Sequence, residues 1–289
     1  MSRVVCIVGM GLIGGSIAMA LKESGYSSHI ICVDKNEEHS QTAIKMGLAN
    51  ESLSLEEGVK RANLILLCTP VDTICNLLPQ VLDHIKRMQK QGARHKIVAD
   101  MGSTKWKIAK SVKEHSMRKF YVAVHPIAGT EYSGPQAAIN GLFRDKNAIL
   151  CDGNLSNSIA RNEVWQMLET IGMTVSEMDS CNHDLHVAYV SHISHITSFS
   201  LALSVLEKEK SEQNILTLAA SGFESTVRLA KSNAQTWAPI LTQNGEFITQ
   251  VIDSYIEKMT LFKRHIEQNN SAALIEMMQS ANAITKILK

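Results

Sequence analysis

The side chains with chemistry to offer in this chain are a histidine set before a glycine-hinged polar turn, a later run of histidines, and acids and glycines near the amino terminus. The segment HPIAGTEYSG, residues 125 to 134, opens on an imidazole. A proline that donates no backbone hydrogen bond follows, and then a threonine, a carboxylate and two further hydroxyls lie between glycines. An unperturbed imidazole titrates near neutrality, so His125 has the range of a general base. Further on, His183, His186, His192 and His195 crowd one helical stretch. At about 100° per residue, His183 and His186 fall on one side of a helix and His192 and His195 roughly opposite. One metal ion could not draw on all four, and neither HExxH nor a cysteine pair completes a set, so no metal is expected. Ala188, Ser191, His192 and His195 do share a face, which aims two imidazoles and a hydroxyl into one space. Hydrogen-bonded core or interface histidines would give the same pattern.

The third constellation is GMGLIGGS. The run RVVCIVG reads as a strand that stops at glycine, MGLIGGSIAMALKESG as a helix ending at Gly25, and HIICVD as a second strand ending at Asp34. Gly9 permits a tight turn, Gly11 lets the backbone approach a pyrophosphate, and Gly14 lets the helix pack on the strand, with Leu12 and Ile13 between them. The N–H groups of that first helical turn would face the phosphates. Asp34, about twenty residues past the last glycine, can accept both ribose hydroxyls of NAD and would repel the 2′-phosphate of NADP. Lys35 beside it tempers that preference.

These residues need a scaffold, and the chain has room for two domains at 289 residues. A net charge of +1 supplies no bulk attraction for nucleic acid or an anionic membrane, so an anionic ligand must be held by local charge. The 6 cysteines lack CxxC spacing and sit in apolar runs such as VVCIV and LLCTP, which points to free thiols in a reducing compartment. Glycines interrupt the apolar start, so it does not read as a signal peptide. No apolar run is long enough to span a bilayer, and a cytoplasmic location is expected.

Strand-like runs continue to alternate with helical ones through NLILLCTP, VDTICNLLPQVLDHIKRM, HKIVAD, KWKIAKSVKEH, FYVAV, NAILCD, ARNEVWQMLETIG and MTVSEM. The expectation is an α/β amino-terminal Rossmann-type domain, 1–178, built on a doubly wound, mainly parallel sheet. Three polar clusters, Gly9 to Gly14, Asp100 to Lys105 and His125 onward, then lie at strand carboxyl ends and face one crevice. An all-α domain, 179–289, follows in four long helical segments with small-residue and methionine-rich faces. Such faces are suited to packing between subunits, so a homodimer is expected.

The motifs GMGLIGGS, ADMGSTK (99 to 105), HPIAGTEYSG, HDLHVAYVSHISH (from 183) and GFESTVRLAKSNAQTW (from 222) occur in an order that resembles the prephenate/arogenate dehydrogenase family nearly end to end. The resemblance implies NAD-dependent oxidative decarboxylation of prephenate to 4-hydroxyphenylpyruvate by a dimer with a helical dimerisation domain. It implies that His125 is the catalytic base and that Ser103 bridges substrate and that histidine. Arg228 matches the family's carboxylate-binding arginine, where a surface ion pair is the plainer alternative. His192 and His195 match positions lining the substrate pocket, Thr130 and Glu131 those contacting or gating its pyruvyl end. Trp237 fits an aromatic wall, although a tryptophan at helical spacing is commonly core. Asp100 and Lys105 are left as cofactor-side or structural. Two departures bear on pocket shape and not on reaction type: Ser194 stands where many members carry proline, and the step before Trp237 reads SNAQTW. An arogenate dehydrogenase fits the same residues, with Glu131 available to its ammonium. A catalytically silent NAD-binding regulator is weighed against intact His125, Ser103 and Arg228. A β-hydroxyacid dehydrogenase would need a helical-domain lysine that HVAYVSHISHI does not offer. No fused mutase or regulatory domain is expected after the last helix.

Overall fold

The computed structural model describes residues 3–90 and 96–287. Short runs rich in valine, isoleucine and leucine form the strands β1 (Val4–Val8), β2 (His29–Val33), β3 (Glu51–Ser52), β4 (Leu64–Leu67), β5 (Ile97–Asp100), β6 (Tyr121–Pro126), β7 (Asn147–Cys151) and β8 (Thr174–Met178). They join in one 8-stranded sheet of order β3-β2-β1-β4-β5-β6-β7-β8. All neighbours are parallel except β6 and β7. The helices of this half are α1 (Leu12–Glu23), α2 (Glu37–Lys45), α3 (Leu55–Arg61), α4 (Val71–Lys90), α5 (Trp106–Ser111) and α6 (Ser158–Thr170).

Both faces of the sheet are covered, as the near-continuous apolar strands require. Val5, Ile7, Ile30, Leu66, Val122 and Val124 point into a layer shared with Ile17 and Leu21 of α1 and Val164 and Leu168 of α6. The alternate side chains Cys6, Val8, Ile31, Ile65 and Leu67 meet Ile74, Leu78, Val81, Leu82 and Ile85 of α4 on the other face. Those α4 residues recur at helical spacing and are fully buried, each contributing about 1.5–3 kcal/mol over an exposed position.

The register brings the carboxyl ends level: Val8 pairs with Val33 and Leu67, Leu67 with Asp100, and Asp100 with Ala123. The turns leaving Val8, Asp100 and the end of β6 therefore open on one side, as the sequence implies. His125 and Pro126 run past that level and are held by antiparallel pairing with Ile149 and Ala148.

The carboxy-terminal half departs from four long segments. It contains α7 (Ser180–Val187), α8 (Ile193–Glu209), α9 (Ser221–Val227), α10 (Ala234–Gln243), α11 (Gly245–Glu267) and α12 (Ser271–Ala281). A wide π-type turn, Ala188–His192, separates α7 from α8 where one unbroken helix is expected. The later segment divides at Asn244, whose side chain is committed elsewhere, as described below. The core belonging to this half is small, centred on Ala188, Ile248 and Val251. Leu203, Leu206, Ile256, Met259, Ile275 and Met278 are each more than half exposed. A helical layer so poor in internal burial has apolar surface left over for a partner. Among the described residues no helix is long and apolar enough to cross a membrane.

Candidate active site

The cofactor end forms at the turn from β1 into α1. Gly9 has φ +94°, and a Cβ there would meet the backbone of Cys68 at 2.9 Å. A Cβ on Gly14 would lie 2.1 Å from the Gly9 carbonyl oxygen, so only glycine lets α1 sit this close to the turn. Gly11, by contrast, faces open space, with nothing within 4 Å of a built Cβ. The first turn of α1, from Leu12 and Ile13, directs N–H groups without intrahelical acceptors toward that space. Asp34 is fixed at its edge: its Oδ2 accepts the Met10 N–H and its Oδ1 the Asn36 N–H, both at 2.9 Å. Each carboxylate oxygen retains a lone pair for a ribose hydroxyl. A cradle that a methyl group would fill, an open approach at Gly11 and an oriented acid together fit a dinucleotide.

His125 is held by a buried chain of acceptors. Its Nδ1 lies 2.8 Å from His183 Nε2, and His183 Nδ1 lies 2.8 Å from Asp184 Oδ1. Asp184 Oδ1 also accepts the Lys105 N–H at 2.7 Å, and Oδ2 the Trp106 N–H at 2.9 Å. A carboxylate only accepts, so His183 carries its proton on Nδ1 and presents a lone pair at Nε2. His125 must then carry its proton on Nδ1, which leaves Nε2 unprotonated and free to accept. Burial pushes the His125 imidazolium well below the usual histidine range, and His183, Lys105 and His192 add to the shift. Near neutral pH the ring is an uncharged base.

A second group borders it. His192 is buried, and its Nδ1 accepts a hydrogen bond from Asn244 Nδ2 at 3.0 Å. That assignment leaves His192 Nε2–H as a donor. Asn244 Nδ2 also donates to the Asp184 carbonyl at 2.8 Å. Burial pushes His192 down to about 4, with Asp184 opposing the shift. His195 donates from Nδ1 to the Ser191 carbonyl at 3.1 Å, and its ring stacks on Trp237 with centroids 3.3 Å apart. The His192 ring meets the same tryptophan edge-on at 5.9 Å. Burial lowers His195 as well; its Ser191 bond opposes the shift and Arg228 adds to it. The neutral imidazoles supply shape and hydrogen bonds but no charge; the cation that acts on His195 is Arg228. That guanidinium follows α9, is exposed, and makes no ion pair or hydrogen bond with the described residues. Ser198 Oγ of α8 donates to the Thr226 carbonyl at 2.5 Å and so ties α9 to the helix carrying His195.

Ser103 is half-buried in the bend after β5 and makes no hydrogen bond to His125, whose ring is engaged by His183 instead. Thr130 is exposed, with Oγ1 accepting from the Tyr132 N–H at 3.3 Å. Glu131 is half-buried and has no hydrogen-bond or ion-pair partner among the described residues. Their loop is tied to the residue before α10 by Asn233 Nδ2 donating to Ser133 Oγ at 3.2 Å.

His183, Asp184 and Asn244 were not legible as site residues. A uniform helix sets His183 opposite His192; the wide turn rotates less per residue than an α-helix and brings both to the His125 side, close enough for each to act on its titration. The signal available was the His-Asp pair at 183–184, an acid placed to orient an imidazole.

Residues 17–177 match the sequence profile described as prephenate dehydrogenase, nucleotide-binding domain, and residues 179–280 that described as prephenate dehydrogenase, dimerization domain. The chain belongs to the prephenate dehydrogenase family. It is 29% identical to a prephenate dehydrogenase of Bacillus subtilis over 97% of this chain and 75% of that protein. It is 27% identical to a cyclohexadienyl dehydrogenase of Zymomonas mobilis over 99% of this chain and 96% of that protein. A prephenate dehydrogenase of A. aeolicus, solved with hydroxyphenyl propionate and NAD+, superposes with a TM-score of 0.88 at 25% identity, covering 100% of this chain and 99% of that one. An NAD-dependent oxidoreductase on a Rossmann-type sheet with a helical carboxy-terminal domain is the family's design, and the expectations of fold, family and cofactor agree with it.

Proposed function

We propose that this chain oxidises prephenate with NAD, releasing CO2 and 4-hydroxyphenylpyruvate, and works as a homodimer in the cytoplasm. The observation that carries the reading is His125 held by Asp184 and His183 with an unprotonated Nε2, at the strand ends that also form the nucleotide cradle. Prephenate is a cyclohexadiene with a C4 hydroxyl, a C1 carboxylate and a pyruvyl side chain. The Gly9–Gly14 turn and Asp34 would hold NAD, which would supply the acceptor for the C4 hydride. His125 Nε2 takes the C4 hydroxyl proton as the hydride leaves, and the C1–carboxylate bond breaks so that its electron pair enters the ring and CO2 leaves. The proton returns from His125 to the phenolate oxygen to give the product's 4-hydroxyl. Aromatisation drives the loss.

In this reading Arg228, without an ion-pair or hydrogen-bond partner among the described residues, pairs with a substrate carboxylate through its planar fork. His192 donates from Nε2 to a substrate oxygen, His195 and Trp237 wall the ring, and Ser103 donates at the C4 side. Thr130 and Glu131 border the side-chain end. Because His192 and His195 are neutral, the pocket positions the departing carboxylate without clamping it, which favours the transition state over the bound dianion. The B. subtilis relative bears the name of the proposed activity. Arogenate is the second reading, and the unpartnered Glu131 carboxylate favours it, since it could meet the substrate ammonium. Parallel initial rates of NADH formation on the two substrates test the choice. Faster turnover of prephenate supports the proposal; turnover of arogenate alone moves the substrate and keeps the mechanism.

A further inference from the structure

Lys105 is fully buried, and a buried ammonium is costly unless its partners are well placed. The partners explain more than a salt bridge. Nζ donates to Asp100 Oδ1 and, at 2.7 Å, to the carbonyl of Val124, the residue immediately before His125. Asp100 is itself fixed, accepting the Tyr121 hydroxyl at 2.6 Å on Oδ2 and the Gly102 N–H at 2.8 Å on Oδ1. The main-chain N–H of Lys105 meanwhile donates to Asp184 Oδ1, the carboxylate at the far end of the His183 relay. One residue thus grips both ends of the chain that orients the base: the strand that carries it and the acid that sets its tautomer.

We propose that Lys105 is a positioning residue of the reaction, which locks His125 and its Asp184–His183 relay in one arrangement and keeps a fixed positive charge behind the base. The inference rests on His125 being the base. The groups acting on His125 come from three elements: His183 from α7, His192 from the wide turn, and Lys105 from the loop before α5. Lys105 is the cation among them, while His192, pushed down to about 4 by burial, is neutral when the base is in use. A like charge disfavours protonation of the ring, so Lys105 holds His125 in its working form to lower pH. A merely structural ion pair would hold the fold together and leave the acid limb of activity where it is.

The test uses the full-length enzyme with Lys105→Met and with Lys105→Met/Asp100→Asn. The second variant removes both charges of the pair, so it does not strand a buried carboxylate if the single variant fails to fold. The pH dependence of kcat/KM for prephenate is measured beside NADH affinity by fluorescence titration. The folded single variant is expected to move the acid limb upward by about one pH unit, and the double variant in the same direction by less, since it also removes the Asp100 carboxylate. NADH affinity should stay within about twofold, because Lys105 does not line the cradle. An acid limb at the wild-type pH in the folded double variant overturns the proposal, as does a loss of NADH affinity with the limb unmoved. His125→Asn separates the two ideas. If that variant turns over normally, the base reading fails; if it is dead while the Lys105 limb stays put, only the Lys105 role fails.

Discussion

Asp184→Asn changes one atom and should reverse the proton order of the whole site. In the wild type the carboxylate accepts three hydrogen bonds, from the His183 ring and from the Lys105 and Trp106 amides. An asparagine has one acceptor oxygen and one donor amide, so one of these contacts must fail whichever way it is set. With its oxygen left on the Trp106 N–H, the amide nitrogen faces His183 Nδ1 and donates to it. His183 then carries its proton on Nε2 and donates to His125 Nδ1, which places the remaining proton of His125 on the Nε2 that should accept from substrate. The base is present but in the wrong tautomer. General-base catalysis contributes about 10²–10⁴-fold, so kcat should fall by that order with little change in KM for prephenate or NAD. Loss of one buried hydrogen bond should also cost about 1–3 kcal/mol of stability. Steady-state NADH formation gives the kinetic split, and thermal unfolding followed by circular dichroism gives the stability. A folded Asp184→Asn enzyme with kcat within twofold of wild type would mean that the asparagine oxygen stays on His183 Nδ1 and the Lys105 N–H, and would refute the predicted reversal.

Other consequences are open to measurement. Because burial lowers the His125 pKa, kcat/KM should stay level as pH falls through the ordinary histidine range near 6.5 and drop only below it, when the ring protonates. A limb at or above that value would mean a different base. Arg228→Ala removes the unpartnered guanidinium and should raise KM for prephenate roughly 10–100-fold, the worth of a charge-assisted contact, while NADH affinity by fluorescence titration is unchanged. Loss of cofactor affinity instead would move Arg228 out of the substrate pocket. Gly14→Ala puts a methyl 2.1 Å from the Gly9 carbonyl and should abolish NADH binding through displacement of α1; retained affinity would show that the helix yields.

The cofactor half was legible because each signal there is local. A positive φ at Gly9, close packing at Gly14 and an acid ending β2 are conditions that neighbouring residues impose, and short-range spacing reveals them. His125 was legible by its place at the end of an apolar strand. Its partner was not. The bond to His183 depends on a turn that is wider than an α-helix at Ala188–His192, and helical periodicity assumes a uniform rise and rotation. The break before α11 was hidden for a related reason, since Asn244 serves Asp184 and His192 across the fold, which its neighbours in sequence do not reveal. Arg228 is legible as a carboxylate ligand through the motif resemblance alone, since an arginine at that spacing reads equally as a surface ion pair; the structure adds that it is exposed and has no ion-pair or hydrogen-bond partner among the described residues. The apolar faces of α8, α11 and α12 were legible as unpartnered surface, because their periodicity exceeds what Ile248 and Val251 can cover.

The most direct test of the central claim is the initial rate of NADH formation from prephenate and NAD, with wild-type protein and His125→Asn assayed side by side. The expected result is rapid turnover by the wild type and a rate about 10²–10⁴-fold lower in a variant that still binds NADH. Equal rates for the two proteins, or no NADH from the wild type, would contradict it.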